Sequence, residues 1–501
     1  MKLISLAISI SLLTISAMAE LKLASPFTDN AVLQRDIPVP IWGTTDAGSS
    51  VTIEFAGQTK LTKADAQGKW SVKLGPLEAN AQAQTLKVSD SKNHLTITNI
   101  LVGEVWICSG QSNMQMGHTP DVRPLARKAT NIRSFEVKKT VAFTEQDQLE
   151  GQWSTEAPSS AVALSFAYHL QQQAKAPIGI VLTCWGSSSL EAWMPRDMID
   201  TVPHFKTMIE EFDANTEAQQ QITEILKKAP WTKRDDVFLR RQTNLLYNAM
   251  LHPLAPYACR GLVWYQGERN TQSMFGMVKE PWFSRNSGML KYGDTLNAWI
   301  QRIRKEWHND SMHFLIAMLP GYDAPWISGP KLGMEHPETH SWAWMRESQL
   351  KAHELPHTSV SNNIDLGDAK NIHPKDKLPV GQRLALLAAR DTLNKKITAQ
   401  GPTLKNVEPK GDHILVHFDN AEGLKTSDAQ SPTGFWIADN SQKWVQAEAS
   451  IDGTTIKLRS STLEKPLYVR YAFAGKPSVN LVNAEGLPAY PFRTDHFQPS
   501  K

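Results

Sequence analysis

Cysteine, an excess of charge of one sign, and long apolar runs are all scarce in these 501 residues. The three cysteines are Cys108, Cys184 and Cys259, far fewer than a disulfide-built scaffold carries. Each sits in or beside an apolar run, which points to buried thiols; a Cys108–Cys184 bridge is the open alternative. Lysine and arginine number 53 against 50 acidic residues, a net charge of +3. No field of that size recruits nucleic acid or an anionic membrane as the main partner. The apolar stretch at residues 3–15 is diluted by serines and is shorter than the roughly 18–20 residues a membrane span needs. It follows Lys2 and precedes Ala17-Met18-Ala19, the small-x-small pattern of a secretory leader cut before Glu20. No cysteine follows that cut, which argues against a lipoprotein anchor. The mature chain is therefore expected in the periplasm or secreted, with no integral membrane segment.

What is present is ordinary globular material. Hydrophobic residues make up 41% and charged residues 21%, too apolar for disorder. The length suggests about three domains, and the patterning divides the chain accordingly. After the leader (1–19), residues 20–100 alternate with period two: 51–55, 70–74, 86–88 and 95–97 read as strands of a small antiparallel sandwich. Gly43-Thr-Thr-Asp-Ala-Gly48 lacks the lysine of a phosphate loop and reads as a hairpin turn. From 101 to 397 the pattern changes to short unbroken apolar runs at 101–107, 178–183, 261–265, 313–319 and 359–364. Such runs suit parallel strands buried on both faces. Helical spacing lies between them, at 161–173, at 380–393, and at Leu296, Trp299, Ile300, Ile303 and Trp307, with Asp294 or Thr295 as N-cap. Residues 197–240 and 271–292 look like polar or irregular elaborations over the sheet edge. Strand patterns return at 414–418, 455–458 and 467–472, making 398–501 a β-rich C-terminal domain. The fold class is α/β: an open parallel sheet in three layers between N-terminal and C-terminal sandwich-like regions. Ligands of such sheets bind beyond the carboxyl ends of the strands.

Four strand ends carry chemistry. The first gives Cys108-Ser-Gly-Gln-Ser112-Asn-Met114, a serine at a strand-to-helix junction where a helix N-terminus can stabilise negative charge. It is not the nucleophile elbow Gly-x-Ser-x-Gly, because Met114 stands at the second glycine position. The second ends in Cys184-Trp-Gly186, where glycine permits close backbone approach. The third ends in Trp264-Tyr-Gln-Gly-Glu268, and the fifth leads into Asp365-Leu-Gly-Asp368-Ala-Lys-Asn-Ile-His373-Pro. A hydroxyl, a backbone donor, an amide and an imidazole at one crevice are the parts acyl transfer needs.

These motifs resemble the sialate O-acetylesterase family, serine carbohydrate esterases of the SGNH-hydrolase superfamily. The resemblance rests on Gly103-Glu-Val-Trp-x-Cys-Ser-Gly-Gln-Ser112-Asn-Met, Trp185-Gly…Glu191-Ala-Trp193, Trp264-Tyr-Gln-Gly-Glu268 and Ile372-His373-Pro. It extends to Val469-Arg-Tyr-Ala-Phe, Asn483-Ala-Glu-Gly-Leu-Pro and Pro491-Phe-Arg-Thr-Asp495, and so covers about residues 22 to 495. It implies an SGNH-type fold, Ser112 as nucleophile and His373 as general base. The oxyanion would be held by the amides of Ser112 and Gly186 and the side chain of Gln266, with Asn270 as a further donor candidate. Two positions depart from the family pattern. Arg269 stands where serine is common, and Lys370 stands three residues before the histidine, where the superfamily has its aspartate.

Lys370 cannot accept an N–H bond, so the carboxylate orienting His373 must come from elsewhere. Asp368 is on the same loop, and a turn at Gly367 could fold it back toward the ring. Glu268, after Gly267, is the rival, with bracing of the serine loop as its other role. No metal is expected: in His336-Pro-Glu-Thr-His340 the glutamate does not follow the first histidine as zinc proteases require, and Pro337 forbids a helix interior. No cofactor is expected either. Trp185, Trp193 and Trp264 are read as core, with sugar stacking as the alternative. The expected function is a secreted serine esterase that removes O-acetyl groups from carbohydrate through an acetyl-enzyme on Ser112. Its partner is an acetylated saccharide, either sialic acid or a plant polysaccharide such as xylan or xyloglucan. A non-catalytic carbohydrate-binding protein is the alternative. A lipase would want an apolar lid, whereas 197–240 is highly charged.

Overall fold

The computed structural model of the chain describes residues 20–276, 286–330 and 332–499, and the expected leader at 1–19 lies outside them. The N-terminal region is antiparallel β, with Val39–Thr44 and Ser50–Phe55 burying every second side chain. The segment around Gly43–Gly48 joins strands of two different sheets rather than closing a hairpin, since Val39–Thr44 pairs with Lys69–Leu74 and Ser50–Phe55 with Gln58–Lys63. No linker separates this region from the next. A single strand, His94–Gly110, crosses residue 100: its first six residues alternate in burial and its last eleven are all buried. The first part pairs with Asn80–Ser89, the last with Ile178–Cys184 and Gly261–Tyr265. The change from alternating to unbroken apolar sequence thus records one strand passing from a one-faced to a two-faced sheet.

The central sheet runs Trp153–Ser154, Ile132–Glu136, Ile178–Cys184, His94–Gly110, Gly261–Tyr265, His313–Ala317, Thr358–Ser361. All of these pairings are parallel except that of Trp153–Ser154. All five apolar runs are strands here. Ile132–Glu136 is an additional strand that the pattern hid, because Arg133 and Ser134 interrupt it. Arg133 is buried through bonds to the Asn30 carbonyl at 2.9 Å and Asn99 Oδ1 at 3.0 Å.

Helices cover both faces. Ala161–Ala174 lies under Trp106, whose ring meets Phe166, while Met289–Glu306 lies on the other face, where Trp299 meets Trp264. The latter helix starts earlier than the expected cap. Met289 and Tyr292 extend its buried stripe upstream, and Asp294 instead pairs with Lys351 at 2.7 Å. Residues 203–239 are more ordered than their charge suggested: Pro203–Ala214, Thr216–Leu226 and Lys233–Leu239 are helices, the first two burying Phe205, Ile209, Phe212 and Ile222. Among the described residues no helix is long and apolar enough to cross a membrane.

The C-terminal region holds two four-stranded antiparallel sheets. It is docked by polar contacts: Tyr490 Oη donates to the Val360 carbonyl at 2.6 Å, and Asn362 Nδ2 to those of Pro488 and Ala489. The buried Arg346 guanidinium donates to the carbonyls of Pro320, Ala474 and Gly475. These contacts hold the end of Thr358–Ser361, from which the histidine loop departs. The strand His94–Gly110 lies between a neighbour later in sequence on each side, so the chain reverses direction across the sheet there. Ligands gather at such a crevice.

Candidate active site

The serine turn is set by one glycine. Gly110 has φ +132, and a Cβ there would lie 2.1 Å from the Tyr265 carbonyl oxygen. Only glycine lets the strand end so close to its neighbour. The chain then enters the short helix Ser112–Gln115, with Ser112 at the mouth of a cleft of about 660 Å³. The Ser112 amide has no acceptor among the described residues. Across the crevice, His373 Nε2 lies 2.9 Å from Ser112 Oγ, within reach to accept its proton. Burial and then the charge of Lys377 hold the His373 imidazole below its ordinary pKa, so the neutral, proton-accepting form is favoured.

The carboxylates are not where the loop suggested. Asp368 is exposed, and its Oδ1 accepts from the amides of Lys370 at 2.7 Å and Asn371 at 3.2 Å. It closes its own turn, as a short acidic side chain readily does, and the expected bond to His373 is not formed. Among the described residues no carboxylate accepts from His373 Nδ1. Glu268 is buried and faces the serine helix: Asn113 Nδ2 donates to its Oε1 at 2.5 Å. The same Asn113 Nδ2 donates to the Ile372 carbonyl at 3.1 Å, and Lys377 Nζ donates to Asn113 Oδ1 at 2.6 Å. Burial pushes Glu268 up to about 7 against the pull of Asn113. Burial likewise brings Lys377 down to about 8.

With this geometry in view, the comparisons with known proteins are specific. The family model for carbohydrate esterases described as sialic acid-specific acetylesterase matches residues 102–227. A carbohydrate acetylesterase of known structure from Xanthomonas citri is 30% identical, with a TM-score of 0.80 over 95% of this chain and 100% of its own. The chain belongs to the sialate O-acetylesterase family of carbohydrate esterases. The sialate O-acetylesterases of Rattus norvegicus and Homo sapiens are each 26% identical to it, over 91% and 88% of this chain and 90% and 84% of theirs.

In this family member two of the expected oxyanion donors sit behind the cleft rather than in it. Gln266 is fully buried: its Nε2 donates to Gln111 Oε1, the Ser188 carbonyl and Asn270 Oδ1, and its Oε1 accepts from Tyr292. Asn270 is equally buried and donates to Glu191 and Ser287. A side chain with every polar atom engaged cannot turn to meet a substrate without leaving buried partners unpaired. Gly186 does line the cleft, and a Cβ there would press against Ser112 Cβ at 3.2 Å. Its amide donates to Gln115 Oε1 at 2.7 Å, a partner the sequence reading missed.

Three arginines edge the cleft: Arg240 and Arg241, just beyond Lys233–Leu239, and Arg269 after the third strand end. Arg240 pairs with Asp236 at 3.0 Å and Arg241 reaches Ser187 Oγ at 3.0 Å. Arg269 is 5% exposed, and its Nη2 has no partner among the described residues. Burial and then the charge of Arg241 depress its pKa, although a guanidinium stays charged at neutral pH. Trp326, 37% exposed, also lines the cleft. By contrast Trp185, Trp193 and Trp264 are core; Trp185 stacks on Trp231, and Trp193 meets Trp264 edge to face. The cysteines are free, buried thiols. His336 and His340 lie apart from the cleft, His336 against Trp436 of the C-terminal region and His340 Nδ1 at 2.9 Å from the Ser328 carbonyl.

Proposed function

We propose that this chain is a carbohydrate O-acetylesterase acting through Ser112 and His373, and the 2.9 Å contact between their side chains at the switch-point crevice carries the reading. Ser112 Oγ attacks the acetyl carbonyl carbon while His373 Nε2 takes its proton. The developing oxyanion is met by the free Ser112 amide and by the Gly186 amide. To reach the latter it displaces the side-chain Oε1 of Gln115, which occupies an equivalent acceptor position. His373 then returns the proton to the departing sugar oxygen, leaving acetyl-Ser112. A water molecule, deprotonated by His373, attacks the acetyl carbon and releases acetate and free Ser112. Every proton taken is given back, and no other reactant is needed. This is the chemistry of an SGNH-type esterase.

The cleft supports an acidic sugar, such as an O-acetylated sialate, over a neutral xylan or xyloglucan. Arg269 and Arg241 offer guanidinium donors at its edge, and Arg269 keeps an unpaired donor where water is largely excluded. A sugar carboxylate would satisfy that donor. The leader pattern at residues 1–19 supports export to the periplasm or medium. The deciding experiment measures acetate release from O-acetylated sialic acid, acetylated xylan and acetylated xyloglucan oligosaccharides with the wild type and Ser112→Ala. Release from the sialate, lost in the variant, is expected. A correctly folded Ser112→Ala protein that still turns over would overturn the mechanism.

A further inference from the structure

The fourth apolar strand, His313–Ala317, is followed by Met318-Leu-Pro-Gly-Tyr-Asp-Ala-Pro-Trp326, with no serine, histidine or amide side chain to offer acyl transfer. Even so, this exit runs alongside the histidine loop. The Gly321 amide donates to the Leu366 carbonyl at 2.9 Å and the Asp323 amide to that of Ala369 at 3.2 Å. Three residues later, Trp326 lines the cleft that holds Ser112 and His373. A lone apolar side chain on an open surface needs no explanation. Trp326 instead stands on a built base. Ala324 and Ile327 are buried close to it in the chain, so the turn is anchored while the indole between them stays partly exposed. Its ring meets that of Tyr322 at 5.4 Å, and Tyr322 meets the buried Trp342 at 4.9 Å. The C-terminal region backs the same turn. The Tyr322 amide donates to the Gly475 carbonyl at 2.9 Å, and the Arg346 guanidinium donates to the carbonyls of both Pro320 and Gly475. Beyond Trp326, His340 Nδ1 donates to the Ser328 carbonyl at 2.9 Å, and Gly329 leaves no space for a side chain beside that imidazole.

We propose that Trp326 is a specificity-determining binding residue: its indole stacks on the apolar face of the pyranose ring that bears the ester, and so favours sugar esters over open-chain esters. The inference rests on the carbohydrate-esterase reading and names the group that grips the ring. A pyranose has edges rich in hydroxyl groups and a face made of C–H groups. Ser187, Gln272 and the arginines of the cleft offer donors and acceptors to those edges, and Trp326 offers the flat apolar surface that the face requires. Trp185, Trp193 and Trp264 are buried and cannot. The supports beneath Trp326 fix the indole before a ligand arrives, so little ordering entropy is lost on stacking. A sugar held in one plane also presents its acetyl carbonyl to Ser112 from one direction.

The test compares kcat/KM for acetate release from two kinds of ester in the full-length protein. One is glycerol triacetate, an open-chain ester. The other is whichever of O-acetylated sialic acid, acetylated xylan and acetylated xyloglucan oligosaccharides the wild type turns over fastest. In Trp326→Ala the sugar-to-triacetate ratio should fall about tenfold, chiefly through KM for the sugar. Trp326→Phe, smaller but still flat, should hold the ratio within about threefold of wild type. Inactive protein lowers both rates alike, so the ratio decides even where a variant folds poorly. A merely structural tryptophan would lower both rates together and leave the ratio at its wild-type value, and that result would overturn the assignment. The two readings fail differently. If the wild type hydrolyses glycerol triacetate but none of the acetylated sugars, the carbohydrate reading falls and takes this inference with it. If the wild type hydrolyses a sugar ester and Trp326→Ala keeps the ratio, the role of Trp326 alone falls.

Discussion

The two walls of the cleft are built on opposite plans. The serine side rests on a floor of buried side chains bonded to one another: Gln111 to Gln266, Gln266 to Asn270, Asn270 to Glu191, and Glu191 to the Ser287 amide. The histidine side, residues 365–376, is exposed or half-buried apart from Pro374 and carries its own turns, with Asp368 capping Lys370 and Asn371, and Asn371 capping His373. The floor is fixed by bonds between buried side chains, the loop by its own turns together with backbone bonds to residues 321–323 and the Asp365–Arg383 ion pair. They meet at Asn113, whose side chain reaches the Ile372 carbonyl, and at Ser112 with His373. The comparison explains why amides in family motifs turn out to be supports. A polar residue in a buried floor is recruited to satisfy its neighbours, because each unpaired group there is costly.

That contrast can be broken by mutation, beginning where the effect is largest. Ser112→Ala should lower kcat by about 10³-fold or more, on the scale of nucleophile knockouts, with no loss of thermal midpoint; acetate release and a melting curve decide it. Asn270→Ala should weaken the fold by about 2–3 kcal/mol, since it strips a buried donor from the Glu191 carboxylate. Denaturant unfolding measures this, and a near-native stability would mean that the floor is not what holds the serine side. Arg269→Gln should reduce the kcat/KM ratio of an acidic to a neutral acetylated sugar by about tenfold, the lower end of a lost charge-assisted hydrogen bond. An unchanged ratio would remove the case for a carboxylate at the cleft edge. Asp368→Asn should have the smallest effect, within about 0.5 kcal/mol of stability, because asparagine closes the same turn. Its rate should stay close to wild type. A loss of turnover approaching that of Ser112→Ala would mean that the carboxylate does swing to His373 during the reaction.

Much of this was legible in the residues. The five unbroken apolar runs became adjacent parallel strands because burial on both faces leaves no room for alternation. The motifs at their ends identified the family and named Ser112, His373 and Gly186, which line one cleft. Ile132–Glu136 escaped notice because its buried arginine looks like a surface residue until its partners Asn30 and Asn99 are in place. The helices at 203–239 escaped it because their charged faces dominate the composition, while the apolar stripe is narrow.

Local sequence, then, determined the elements, the turn that only Gly110 permits, and the residue types capable of acyl transfer, since these depend on backbone sterics and on patterns a few residues long. Only the tertiary structure decided which of those residues face substrate and which face one another. Gln266 and Asn270 turned inward, Asp368 closed its own turn, and Lys377 came to bond Asn113 beside the serine. Such outcomes depend on which distant partner can satisfy each polar group once water has been excluded, and no short stretch of chain contains that information.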